Sequence, residues 1–172
     1  MKKIVINGTK SSLSVNLYSI YNTTLDLNIT TPNLIERLSE LDLEVYSVFV
    51  FHCLNQNNEC IEYDDILDLS LEEFIHLVEV TNKELSKAMP KGKEEDNNSS
   101  SNDNSEEDWD FSYLQYIWNT LLNRSTDFLK ETPRNIMEQF DIYKKVNGLE
   151  ETTEGGNKKS KVVEKYIDEI SW

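Results

Sequence analysis

TPNLIERLSELDLEVYSVFVFHCL, residues 31–54, decides the fold class. Leu34, Ile35, Leu38 and Leu41 recur at the spacing of one helical face, and Val45, Val48, Phe49 and His52 make a second stripe after a bend near Asp42. Thr31-Pro32 reads as an N-cap followed by proline at the first helical position. Asn55 to Asn58 reads as the turn that ends this pair of core helices.

Upstream, Lys2 to Asn7 reads as a strand, Asn7-Gly8 as a tight turn, and Leu13, Val15 and Leu17 as alternating positions on the return strand. The Asn- and Thr-rich stretch from Ser19 to Thr31 reads as a connection. Downstream, Ser70 and Glu73 form a capping-box signature ahead of Leu71, Phe74, Ile75, Val78 and Leu85. That pattern predicts a helix to about Lys87, with Pro90 beyond its end. The expected fold class is mainly α with a small N-terminal β-hairpin (α+β).

Residues 91–108, KGKEEDNNSSSNDNSEED, carry no apolar side chain. Such a segment gains too little from burial to offset chain entropy, which predicts a disordered acidic linker. Its r.m.s. span would be roughly 23 Å, so the two flanking pieces are expected to be tethered but not locked. Residues 1–90 form the hairpin plus helical domain, and residues 109–148 an aromatic helical module. A polar linker and short amphipathic tail occupy residues 149–172.

The module opens with Leu114, Ile117, Trp118 and Leu121, spaced i, i+3, i+4, i+7, with Phe111, Tyr113 and Tyr116 beside them. Ser125 is a candidate cap for a brief turn holding Phe128 and Leu129. Thr132-Pro133 opens a second helix that Asn147-Gly148 closes, with Ile136, Met137, Phe140 and Tyr143 on its inner face. In the tail, Val163, Tyr166, Ile167 and Ile170 give an amphipathic segment too short to be stable alone.

Charge and composition narrow the function classes. The net charge of −15 divides into −8 over residues 1–90, −5 over 91–108 and −2 over 109–172. So acidic a chain is repelled by phosphate backbones and anionic lipid, which argues against nucleic-acid and membrane-surface partners. The longest apolar run, Val48 to Phe51, is too short to span a bilayer. Cys53 and Cys60, with no apolar leader, point to a reducing cytoplasm.

No catalytic constellation emerges. His52 and His76 are the only histidines, both within helical pattern, and no glycine-rich phosphate loop exists. His52, Cys53 and Cys60 match no familiar zinc spacing. Residues 55–66 fail as a calcium loop, with Cys60 at the glycine position and Ile66 at the bidentate glutamate position. No catalytic, cofactor or metal residue is therefore assigned, and the chain is read as non-enzymatic. The carboxylates of Glu72, Glu73, Glu79 and Glu84 are expected on a solvated helix face.

The second piece holds all three tryptophans and ten of the seventeen aromatic residues in 64 positions. Aromatic residues at helical spacing are usually core, but the piece is too small to bury them all, which sets a protein interface beside the core reading on equal terms. Trp118, Leu121, Phe128, Pro133, Met137, Phe140 and Tyr143 are the candidate partner-binding residues.

The order of features resembles the long form of the tail assembly chaperones of long-tailed bacteriophages, over roughly residues 1–148. Trp118, Ser125, Phe128, Leu129, Thr132-Pro133-Arg134 and the stretch from Phe140 through Tyr143 to Gly148 carry the resemblance. Asn135 departs from it, standing where an acidic residue usually follows Thr-Pro-Arg, and residues 158–172 have no counterpart. The resemblance implies that the first part coats the tape measure protein and the second recruits major tail protein during tail tube assembly. It also implies action in the host cytoplasm, absence from the mature virion, and often a programmed ribosomal frameshift near Ala88 to Lys93. A homo-oligomer is compatible with the same features. The competing reading is an acidic nucleic-acid mimic that inhibits a DNA-binding enzyme.

Overall fold

The computed structural model describes residues 2–6, 8–57, 61–90 and 108–149. The expected linker up to residue 107 and the tail from residue 150, including Val163 to Ile170, lie outside them, as does Cys60. The fold is mainly helical with one small hairpin. β1 (Lys2–Ile6) and β2 (Thr9–Leu13) pair antiparallel, with Ile6 opposite Thr9 across the two-residue connection. Gly8 takes φ 79°, which suits a residue without Cβ.

The return strand stops at Leu13, and Leu17 opens a helix, α1 (Leu17–Leu27). This corrects the reading of Ser19 to Thr31 as a connection. Asn16 and Ser19 form a capping box, the side chain of each accepting from the other's backbone N–H at 3.2 Å. Thr23 and Thr24 donate their hydroxyls back to Ser19 and Tyr21 carbonyls, so their polarity is satisfied inside the helix. Burial of Leu17 and Ile20 then outweighs the weak helix propensity of the Thr-rich stretch.

α2 (Thr31–Ser39) is capped by Thr30, one residue earlier than the sequence suggested, with Pro32 in its first turn. It ends where Leu41 adopts φ 60°, so Leu41 stands exposed rather than on the buried stripe. Asp42, near the expected bend, caps α3 (Leu43–Leu54), accepting from Glu44 and Val45. Arg37 binds the other oxygen of the same carboxylate at 2.7 Å. That hydrogen bond, with those from the backbone, holds the Asp42 carboxyl below its usual range.

A 3₁₀ turn (Asn55–Asn57) closes α3. α4 (Tyr63–Leu67) is a single short turn of helix that the sequence reading did not anticipate. α5 (Leu71–Ala88) starts at the expected Ser70 and Glu73 capping box. Its buried face is Leu77, Val78, Thr81 and Ala88, whereas Leu71 and Ile75 are exposed. The stripe expected through Leu71 and Ile75 is thus rotated, because α3 packs against the Leu77 side.

α6 (Phe111–Tyr116) continues into a π-helical turn (Ile117–Leu121). A 3₁₀ turn (Phe128–Lys130) follows, capped by Asp127 rather than Ser125. α7 (Pro133–Val146) is capped by Thr132 as expected, and Gly148 terminates it with φ 65°.

Two apolar clusters form the interior. The larger gathers Ile6, Leu13, Leu34, Tyr46, Phe49 and Leu54 with their neighbours from the hairpin and α1 to α5. The smaller joins Leu17 of α1 to Leu114, Ile117, Trp118, Phe128 and Ile136. Trp109 and Phe111 pack against both.

Candidate protein-interaction surface

The two pieces expected to be tethered without being locked share direct contacts. Leu17 N–H donates to the Glu131 carbonyl at 2.9 Å. Phe111 meets the Tyr21 ring edge-on at a centroid distance of 5.0 Å. Arg134 donates to the carbonyls of Met89 and Ser86, both at 2.8 Å. Those carbonyls belong to the end of α5, where the helix dipole is negative and backbone acceptors lack helical partners.

Asp108 makes the matching contact at a helix N-terminus. Its Oδ1 accepts from Thr31 N–H at 2.7 Å and from Trp109 N–H at 2.8 Å. Partial burial pushes its pKa up, but these backbone donors outweigh that and hold the carboxyl below its usual range. The second piece is thus fastened at two points, before its start and at the base of α7, each by a charge set against a helix terminus.

Of the sequence-predicted partner-binding residues, Trp118, Phe128 and Pro133 are buried. Trp118 packs in the smaller cluster and donates Nε1–H to Thr126, with the Arg124 guanidinium 5.9 Å from its ring centroid. Trp118 and Phe128 are interior packing, filled out by Leu17. Leu121, Phe140 and Tyr143 are half-buried. The Phe140 and Tyr143 rings stack at 6.3 Å, and Lys144 lies over Phe140 at 4.9 Å. Met137 is exposed.

What stays fully open shares only Met137 with the set the sequence marked. Along α7 only the first turns are buried, through Pro133 and Ile136; Met137, Ile142 and Val146 face out, Val146 at 80% exposure. Tyr113 and Tyr116 of α6 are exposed too. Tyr113 and Met137 line a cavity of about 220 Å³ with Pro90, Trp109 and Pro133. These residues are brought together by the docking of α7 on α5, which no local pattern encodes.

The histidines separate. His52 is buried, with Nε2 2.8 Å from the Asp26 carboxylate, whereas His76 is exposed beside Glu79. Burial pushes the Cys53 thiol up to about 12, which makes it unreactive as a nucleophile. Among the described residues, no group of three or more His, Cys, Asp or Glu side chains is placed to hold a metal ion. No helix among them is long and apolar enough to cross a membrane.

Compared with known proteins, the chain matches no family model, no curated sequence and no solved structure.

Proposed function

We propose that this chain is the long form of a phage tail assembly chaperone: a non-enzymatic protein that binds the tape measure protein and recruits major tail protein. One arrangement supports the reading. Thr132-Pro133-Arg134, the step that carries the resemblance, is the place where α7 is capped and fastened to α5. With its base fixed there, α7 presents Met137, Ile142 and Val146 outward beside Tyr113 and Tyr116 of α6. An apolar surface on an anchored helix suits helix-in-groove or surface recognition of another protein.

The first piece supplies the other half of the reading. Leu25, Leu43, Leu67, Leu71 and Ile75 are exposed on helices of an otherwise acidic body. Such a surface can cover an apolar client while net charge keeps the complex dissolved. The nucleic-acid mimic has less behind it, since Asp42, Glu73, Asp110 and Asp127 use their carboxylates to cap their own helices.

Co-expression with a fragment of the tape measure protein of the same phage tests the proposal. The fragment should stay soluble with the chain and precipitate without it. Met137→Asp should retain that effect and weaken capture of major tail protein. A fragment that precipitates in both cases refutes the reading. For a mimic, binding to a basic enzyme cleft would collapse steeply with salt, whereas apolar client binding would not.

A further inference from the structure

Among the described residues the sheet has only two strands, and β1 pairs with β2 on one side alone. Ile6 and Thr9 flank a two-residue turn, so they form a hydrogen-bonded pair, as do Ile4 with Ser11 and Lys2 with Leu13. The intervening residues, Lys3 and Val5, therefore point their main-chain N–H and C=O groups away from β2. On that side the whole length of β1 borders a groove of about 350 Å³ whose opposite wall is α5. Leu69, Leu77 and Val80 supply its apolar lining, with Glu73 and His76 at the rim.

We propose that this groove receives an extended, acidic segment of a partner protein, which adds to β1 as a third strand. Strand addition needs a free edge with unpaired donors and acceptors, and an apolar floor for every second side chain. The Lys3 and Val5 edge meets the first requirement and the half-buried Leu69 and Val80 the second. The charge of the segment follows from the hairpin, which carries Lys2, Lys3 and Lys10 and no carboxylate in a chain of net −15. Side chains beside Lys3 and Val5 on the outer face lie next to that positive charge, which carboxylates complement. Glu73 lines the groove with its charge intact, its carboxylate accepting from the Ser70 N–H and hydroxyl at 3.0 and 2.5 Å, and Glu84 lies near enough to Lys2 to feel its charge, so Lys3 and Lys10, on the face that Val5 shares, carry the complementarity. A second copy of β1 is a poorer occupant, since its own lysines would face these. The inference stands apart from the identity of the client proposed above.

The test uses the full chain labelled with ¹⁵N and a seven-residue peptide alternating valine and glutamate. The Lys3 and Val5 amides should exchange rapidly in the free chain and slow by about tenfold or more with peptide. A valine–lysine peptide should fail to bind, as should a valine–glutamate peptide N-methylated at alternate amides. Val5→Pro removes only a donor that faces the groove, so it should keep the fold and bind about tenfold more weakly. If Val5→Pro does not fold, the N-methylated peptide still decides the matter. Slow Lys3 and Val5 exchange in the free chain overturns the proposal, as does equal binding of the lysine or N-methylated peptide. Protection that appears only with dimerisation in sedimentation also overturns it, in favour of a second copy.

Discussion

Replacing Arg134 by methionine keeps the aliphatic stem and removes both hydrogen bonds that tie α7 to the end of α5. Those bonds are 2.8 Å long and run from a charged donor to the carbonyls of Ser86 and Met89. A hydrogen bond to a charged group contributes about 1.5–3 kcal/mol when shielded. The Ser86 bond is exposed, and the Met89 bond only partly buried, so solvent discounts both. The expected cost is about 2 kcal/mol, below the roughly 3–6 kcal/mol that two shielded bonds would sum to. With a urea dependence of about 2 kcal/mol per molar, the unfolding midpoint should fall by about 1 M. Tryptophan fluorescence and far-ultraviolet circular dichroism should follow the transition together if the two pieces unfold as one. Amide exchange should quicken more in α6 and α7 than in β1 and α3. Arg134→Lys should recover only part of the loss, because one ammonium cannot reproduce the guanidinium's fixed fork. A midpoint shift below about 0.2 M for the methionine variant would show that the contact contributes nothing to holding the pieces together.

Two further outcomes follow from the titratable groups. The Asp108 carboxyl is held below its ordinary value of 3.8, so its contribution is present above that pH and is lost as pH falls through the lower folded value. Urea midpoints of the parent and Asp108→Asn should therefore differ at pH 7, begin to approach each other as pH falls below about 4, and meet only below the folded value. A constant difference down to pH 2 would remove ionised Asp108 from the account. Cys53, buried and pushed up to about 12, should resist a disulfide reagent at pH 8 in a Cys60→Ser chain and react only as fast as the fold opens. Stoichiometric labelling within seconds would contradict its burial.

Local signals decided which parts of this structure were legible. Asn7-Gly8, Ser70 with Glu73 and Thr132-Pro133 each bring their own chemistry, and the hairpin, α5 and α7 begin accordingly. α1 was hidden because Asn and Thr favour turns in isolation. Asn16 with Ser19 is nonetheless a capping signal, and Leu17, Ile20, Thr24 and Leu27 fall near one helical face. The rotated face of α5 has a different cause. Its sequence carries apolar residues on more than one side, and only the placement of α3 selects Leu77 over Leu71.

The same limit governs the interaction surface. Trp118 and Phe128 read as anchors because their own piece could not bury them, yet Leu17, about a hundred residues earlier, completes their cluster. The proline and arginine beside them were visible in sequence, but not that Arg134 would reach the last turn of α5.

Trp109 belongs to both clusters, and with Arg134 and Asp108 it makes the second piece a lid over α1, α2 and the end of α5. If one gene yields a short product ending near residue 90 and a long one, the two would differ by more than an added module. The short chain would bare Leu17, Tyr21 and Met89, which the long chain covers. Truncation would then create a sticky patch, so the ratio of the two products would set how much open surface is on offer during assembly.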